Sequence, residues 1–305
     1  MKLLNSEVRI ETTNLCNAKC TICARDRLKR PLTTMSMDMF RRLVDEVKSM
    51  GAETISVFGF GEPLLDINIA EKIGYCTDNG LKTFITTNSS LLDVKRSREL
   101  IDAGLSHIRF SAHGLYKNYE KVHRGIKFDT FFRHTISFIK MSDGLVTISV
   151  SAIPLHGESV ESFVEFWKPG NMIDYLEVWK PHNWTSVKDY RGNTIQRKKT
   201  CGRPFSGPLQ IQADGTVIVC CFDYNGKIVV GDTNKESIYG ILKGAKFKAI
   251  REKHRSGNLY DLPCENCDQL NIGNDNPLLY SNRDPERKIN CTSSTKFTLK
   301  EKEND

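Results

Sequence analysis

Ten cysteines stand in this 305-residue chain, and seven of them fall into two groups with ligand-like spacing. Cys16, Cys20 and Cys23 form a Cys-x3-Cys-x2-Cys run. Three thiolates this close can hold three irons of a [4Fe-4S] cluster and leave the fourth iron open to a second molecule. The other reading is a zinc site without a near fourth ligand, although zinc ordinarily takes paired Cys-x2–4-Cys units. The second group is Cys201, Cys220, Cys264 and Cys267, with Gly215-x4-Cys220 and Cys264-x2-Cys267 inside it. Four thiolates suffice for one [4Fe-4S] cluster or for a structural zinc. Neighbouring strand residues face opposite ways. A Cys220 turned toward a metal therefore leaves Cys221 facing away unless a bulge intervenes, either as a small core residue or as a reactive thiol. Cys76 reads as helix packing beside Ile73 and Tyr75, and Cys291 as a free thiol near a polar tail.

Composition narrows the context. Hydrophobic residues make up 39% and charged residues 27%, which excludes a mainly disordered chain. No apolar run approaches the roughly 18 residues that span a bilayer, and the first residues carry no apolar signal core. A soluble, cytoplasmic protein with no membrane association is expected. Clustered cysteines in a long cytoplasmic chain point to metal or redox chemistry rather than to disulfides. The net charge of +7 is spread along the chain without aromatic–basic interleaving, so no nucleic-acid partner is expected.

The elements that must position these cysteines alternate. Strand signals at 7–12, 54–58, 82–86, 107–110, 146–153 and 175–179 are separated by helix signals at 36–50, 67–78, 94–103, 128–142 and 160–167. Such alternation implies parallel strands with right-handed crossovers, and six units fit a partial (β/α)6 barrel better than a closed eightfold one. After Pro181 the pattern changes. Asp214-Gly215 and Asn225-Gly226 each lie between short strand signals and predict two hairpins. A helix over about 236–252 follows. The expected class is α/β, a partial (β/α)6 barrel over 1–184, then a small α+β domain built on β-hairpins over 185–291, then a disordered tail over 292–305.

In this setting the Cys16–Cys23 run after the first strand resembles the radical S-adenosylmethionine (SAM) superfamily. Four further segments support the resemblance. Gly59-Phe60-Gly61-Glu62-Pro63 resembles that family's Gly-Gly-Glu segment, whose backbone meets the methionyl amino group of SAM. Thr87-Asn88-Ser89 stands where Thr-Asn-Gly is often found, Ser111 ends the fourth strand, and Val122-His123-Arg124-Gly125 resembles a segment whose Arg often pairs with the SAM carboxylate. Ile22 departs from the pattern, which usually has an aromatic residue there, packed near the adenine. The resemblance implies SAM and a SAM-binding [4Fe-4S] cluster on Cys16, Cys20 and Cys23, with Ile22, Gly59, Gly61, Glu62, Asn88, Ser111 and Arg124 contacting SAM. It implies a 5′-deoxyadenosyl radical that takes hydrogen from an unactivated carbon, and a flavodoxin- or ferredoxin-type electron donor.

The second cysteine set resembles SPASM and twitch domains and implies an auxiliary [4Fe-4S] cluster on Cys201, Cys220, Cys264 and Cys267. The spacing is close to that of twitch dehydrogenases such as the one acting on 2-deoxy-scyllo-inosamine. The implied reaction is oxidation of a small polyol- or sugar-like alcohol to a ketone, with the auxiliary cluster as electron acceptor. The alternative is a maturase or epimerase acting on a peptide, with Cys221 as hydrogen donor. Lys180 and His182, in Trp179-Lys180-Pro181-His182-Asn183-Trp184 after the last barrel strand, could act as acid and base, or that segment could be a packed linker. His113 faces the same rim.

Overall fold

The computed structural model describes residues 2–167, 172–185, 187–188, 190, 196–272, 278–281 and 295–298. The barrel part runs β1 (Glu7–Ile10), α1 (Met37–Ser49), β2 (Thr54–Ser56), α2 (Ile69–Asp78), β3 (Lys82–Thr87), α3 (Val94–Asp102), β4 (His107–Ser111), α4 (Tyr116–Val122), α5 (Phe128–Ser142), β5 (Thr147–Ala152), α6 (Val160–Trp167) and β6 (Tyr175–Val178). Strands β1 to β6 pair in parallel in chain order, each with the next. This is the expected six-unit open barrel.

The helices form where the sequence signals lie. Ser36 Oγ accepts the Met39 N–H and caps α1. Phe40, Leu43, Val44 and Val47, at i, i+3, i+4 and i+7, put one face of α1 into the core. Asp93 caps α3 in the same way through Arg96 N–H. The sequence reading has no element at 116–122. Helix α4 carries only Tyr119 and Val122 as buried residues, too few to give a periodic signal.

The second part adds α7 (Arg203–Ser206), β7 (Leu209–Ile211), β8 (Thr216–Ile218), β9 (Val229–Asp232), α8 (Ile238–Lys243) and α9 (Ala245–Ser256), with a 3-10 turn at Pro263–Asn266. The Asp214-Gly215 hairpin forms as expected, with β7 and β8 antiparallel and Gly215 at φ +89°, which favours glycine. Two expectations are corrected. The Asn225-Gly226 hairpin does not form. Instead Asp223 accepts the Lys227 and Ile228 N–H groups. Arg30 and Arg27 bond the loop through Tyr224 O and Asn225, so residues 221–228 dock on the barrel loop and β9 pairs with β8. The single helix over 236–252 is two, broken where Gly244 takes extended backbone. The Asp214-Gly215 hairpin also continues the barrel sheet, because β7 pairs in parallel with β1.

Strand β10 (Leu278–Ser281) pairs antiparallel with β6, and β11 (Thr295–Thr298) pairs in parallel with β10. Those four tail residues therefore form a strand where a frayed tail was expected. The rest of 292–305, and Cys291, lie outside the described residues.

Candidate active site

The loop after β1 carries Cys16, Cys20 and Cys23, and the segments singled out in the sequence converge on its backbone. Glu62 N–H donates to Leu15 O at 2.7 Å, Lys19 N–H to Arg124 O at 3.0 Å and Thr21 N–H to Val122 O at 2.9 Å. Asn88 Nδ2 donates to Asn17 Oδ1 at 3.0 Å. Trp184 Nε1 donates to Ile22 O at 2.6 Å. The approach of Gly61 is so close that a methyl group there would overlap the Thr13 and Leu15 carbonyl oxygens. This is a steric reason for glycine in that segment.

The individual residues divide. Glu62 turns its carboxylate inward, where it accepts from Thr87 Oγ1 at 2.7 Å, Asn88 N–H at 2.8 Å and Leu64 N–H. Burial pushes its carboxyl up to about 7 despite those donors. The Arg124 side chain is exposed, so only its backbone is tied to the cysteine loop. Gly59, Ser111 and His113 line the barrel cavity; Ile22 sits on the cysteine loop, and Asn88, just after β3, bonds to that loop through Asn17.

Burial raises all three thiols of the loop. Cys23 is pushed up to about 11, and the neighbouring Cys23 and Cys16 push Cys20 further up. Such a thiol set is costly to ionise alone. It suits a cationic iron–sulfur centre, which deprotonates the thiols that bind it.

Cys201, Cys220, Cys264 and Cys267 line one small cavity together with Arg203, Phe222 and Asp223. They come from the start of α7, the end of β8 and the 3-10 turn. Burial pushes Cys264 and Cys267 up to about 12, with Cys201 adding to both. Arg203 is held charged, chiefly by Cys221 and then by Cys220, Cys201 and Cys267. Four soft donors around one cavity fit a cluster. Among the described residues no group of three His, Cys, Asp or Glu is spaced for a single metal ion. Cys221 does not line this cavity. It lies in the turn after β8 and lines the barrel cavity, with Arg203 Nη1 3.5 Å from its Sγ.

The barrel encloses a cavity of about 950 Å³. Lys180, His182, Trp184 and Cys221 line it, as do Glu7, Arg9, Arg109 and Glu177, which the sequence reading did not single out. Two charge pairs line it, Arg9–Glu7 within β1 at 2.9 Å and Arg109–Glu177 between β4 and β6 at 3.0 Å. Glu177 is fully buried. Its Oε2 takes Arg109 and Trp179 Nε1, while Oε1 has no protein partner among the described residues. The missed signal was charged residues on one face of three predicted strands, β1, β4 and β6, inward by parity. His182 packs against Phe222 and Trp184, with ring centroids at 3.9 and 4.1 Å.

An open parallel barrel with three thiols on its first loop and four more beside it defines an iron–sulfur enzyme that uses SAM. The radical SAM superfamily profile matches residues 10–167, and the chain belongs to that family. A second profile, the SPASM iron–sulfur cluster-binding domain, matches residues 201–268. SAM and [4Fe-4S] clusters are thus its cofactors. The SAM-dependent 2-deoxy-scyllo-inosamine dehydrogenase of Niallia circulans is 24% identical over 280 residues, 89% of this chain and 96% of that protein. The crystal structure of BtrN in complex with AdoMet and 2-DOIA superposes with a TM-score of 0.65 at 22% identity, over 88% of this chain and 94% of that one. SuiB of Streptococcus suis, bound to its precursor peptide SuiA, gives 0.68 at 18% identity, over 87% of this chain and 70% of SuiB. Three other curated relatives match at 29%, 31% and 32% identity, and the chain spans only 58%, 31% and 28% of their lengths. No described helix is long and apolar enough to cross a membrane.

Proposed function

We propose that this radical SAM enzyme oxidises an alcohol carbon of a small polyol- or sugar-like substrate to a ketone. One observation carries the reading: Arg203 and Phe222 line both the barrel cavity and the cavity of the second cysteine set. A substrate in the barrel therefore lies one side chain from the second set. Cys16, Cys20 and Cys23 would hold the SAM-binding cluster, with Gly59, Gly61, Asn88, Ser111 and Ile22 around SAM. Cys201, Cys220, Cys264 and Cys267 would hold the auxiliary cluster. When bound, these cofactors supply hydrogen-atom abstraction and a one-electron acceptor.

The chain's own residues bind and orient. Glu177 Oε1 offers a buried acceptor to a substrate hydroxyl or ammonium, and Arg109 and Arg9 fix the other polar edge. Lys180 and His182, in the segment after β6, pass the alcohol proton out as the carbonyl forms. The dehydrogenase relative, which shares nearly its whole length with this chain, supports the alcohol substrate class.

One observation favours the second reading, a peptide maturase or epimerase: the Cys221 thiol lines the cavity. A reaction in D2O with iron counting separates the two. Oxidation gives a product lighter by two hydrogens, with no deuterium on the reacting carbon. A product of unchanged formula carrying solvent deuterium on carbon would reject it in favour of the Cys221 route. The Cys16, Cys20 and Cys23 to Ala variant should retain about four irons per chain. Near-zero iron with about one zinc would remove the proposed electron acceptor.

A further inference from the structure

His123 lies beneath the first cysteine loop, 2% exposed, at the end of α4. Its ring is held on two sides by parallel packing, against Tyr119 at 4.3 Å and 17° and against His113 at 5.2 Å and 17°. Both ring nitrogens are engaged. The backbone N–H of His113 donates to Nε2 at 3.3 Å. A nitrogen that accepts carries no hydrogen, so the neutral ring carries its proton on Nδ1. Nδ1 stands 3.4 Å from Cys20 Sγ, within hydrogen-bond range for sulfur.

We infer that His123 donates an N–H···S hydrogen bond to Cys20 and thereby sets the reduction potential of the cluster held by Cys16, Cys20 and Cys23. This rests on the reading of those three cysteines as cluster ligands. A donor to a ligating sulfur stabilises the more negative, reduced state, so it raises the potential. The backbone donor fixes the tautomer and the two stacked rings fix the angle. His123 is thus a positioning residue that acts through Cys20 and touches neither SAM nor substrate.

The test is an anaerobic redox titration of the full-length reconstituted enzyme, following the reduced-cluster EPR signal that changes when SAM is added. His123→Phe keeps the ring stack and removes the donor, whereas His123→Asn returns an amide N–H near the Nδ1 position. We expect the Phe variant to need a potential about 59 mV lower for the same reduced fraction, a tenfold change in the ratio, and the Asn variant to recover part of it. In the wild type labelled with 15N-histidine, pulsed EPR should show coupling of a histidine nitrogen to the reduced cluster, absent from His123→Phe. An unchanged potential in an iron-replete Phe variant, or no histidine coupling in the wild type, overturns the assignment. If changing Cys16, Cys20 and Cys23 to Ala leaves the iron content and the SAM-responsive signal intact, the underlying ligand reading fails instead.

Discussion

Arg109 and Glu177 meet inside the open barrel, Nη1 to Oε2 at 3.0 Å, from strands β4 and β6 that are not neighbours in the sheet. The Arg109 guanidinium lies over Phe58, Phe84 and Trp179, with centroid distances of 5.6, 5.0 and 5.9 Å. Aromatic faces on β3 and just after β2 and β6 thus hold the cation, and the cation holds one oxygen of Glu177. The other oxygen has no hydrogen-bond partner among the described residues.

Removing that charge should harm both stability and substrate use. Breaking one side of a buried pair leaves the other uncompensated, at about 3 kcal/mol or more. Glu177→Gln should therefore unfold earlier in urea and raise the substrate KM at least tenfold. SAM cleavage without substrate should continue near the wild-type rate. Equal losses in cleavage and in substrate turnover would contradict a substrate-facing role.

Glu11 joins three parts of the chain. Its carboxylate takes Arg30 at 2.8 and 3.1 Å, Phe60 N–H at 2.8 Å and Ala213 N–H at 3.1 Å. It therefore ties the cysteine loop, the Gly59–Pro63 segment and the β7–β8 hairpin together. Glu11→Ala leaves Arg30 buried without its partner and should cost about 3–5 kcal/mol. Both cysteine sets should then exchange iron faster with a chelator.

Gly61→Ala should destabilise the fold by about 2 kcal/mol, because overpacking against backbone oxygens has little room to relax. Thermal unfolding of the protein without its clusters isolates this steric effect. An unchanged melting temperature would mean that the segment can move away from Thr13 and Leu15.

Acid should weaken the fold through His113. Burial, with Arg109 adding to it, holds this imidazole down at about 3, against an ordinary value of 6.5. The unfolded chain therefore binds a proton that the folded chain does not. Stability is full above about pH 6.5 and falls as pH drops toward 3, by up to about 1.4 kcal/mol per pH unit for this one site. His113→Phe should flatten that part of a plot of unfolding free energy against pH.

Much of this molecule is written along the chain. The βα alternation predicted the six parallel strands because apolar periodicity changes from two to 3.6 at each boundary. The first cysteine set was legible because its three thiols sit on one loop; of the second, only Cys264-x2-Cys267 is local, and the fold brings Cys201 and Cys220 to it. Cys221 was read by strand alternation, but β8 ends at Ile218 and Cys221 lies in a turn, where that rule does not apply. Tertiary structure decided the rest. Asn225-Gly226 is a strong hairpin signal, yet contacts with Arg27 and Arg30, nearly 200 residues earlier, draw that loop onto the barrel. The union of β7 with β1 and the meeting of Arg109 with Glu177 are pairings across 201 and 68 positions of chain. The sequence carries the partners of such contacts. Which partners meet is settled only when the barrel curves and brings them within reach.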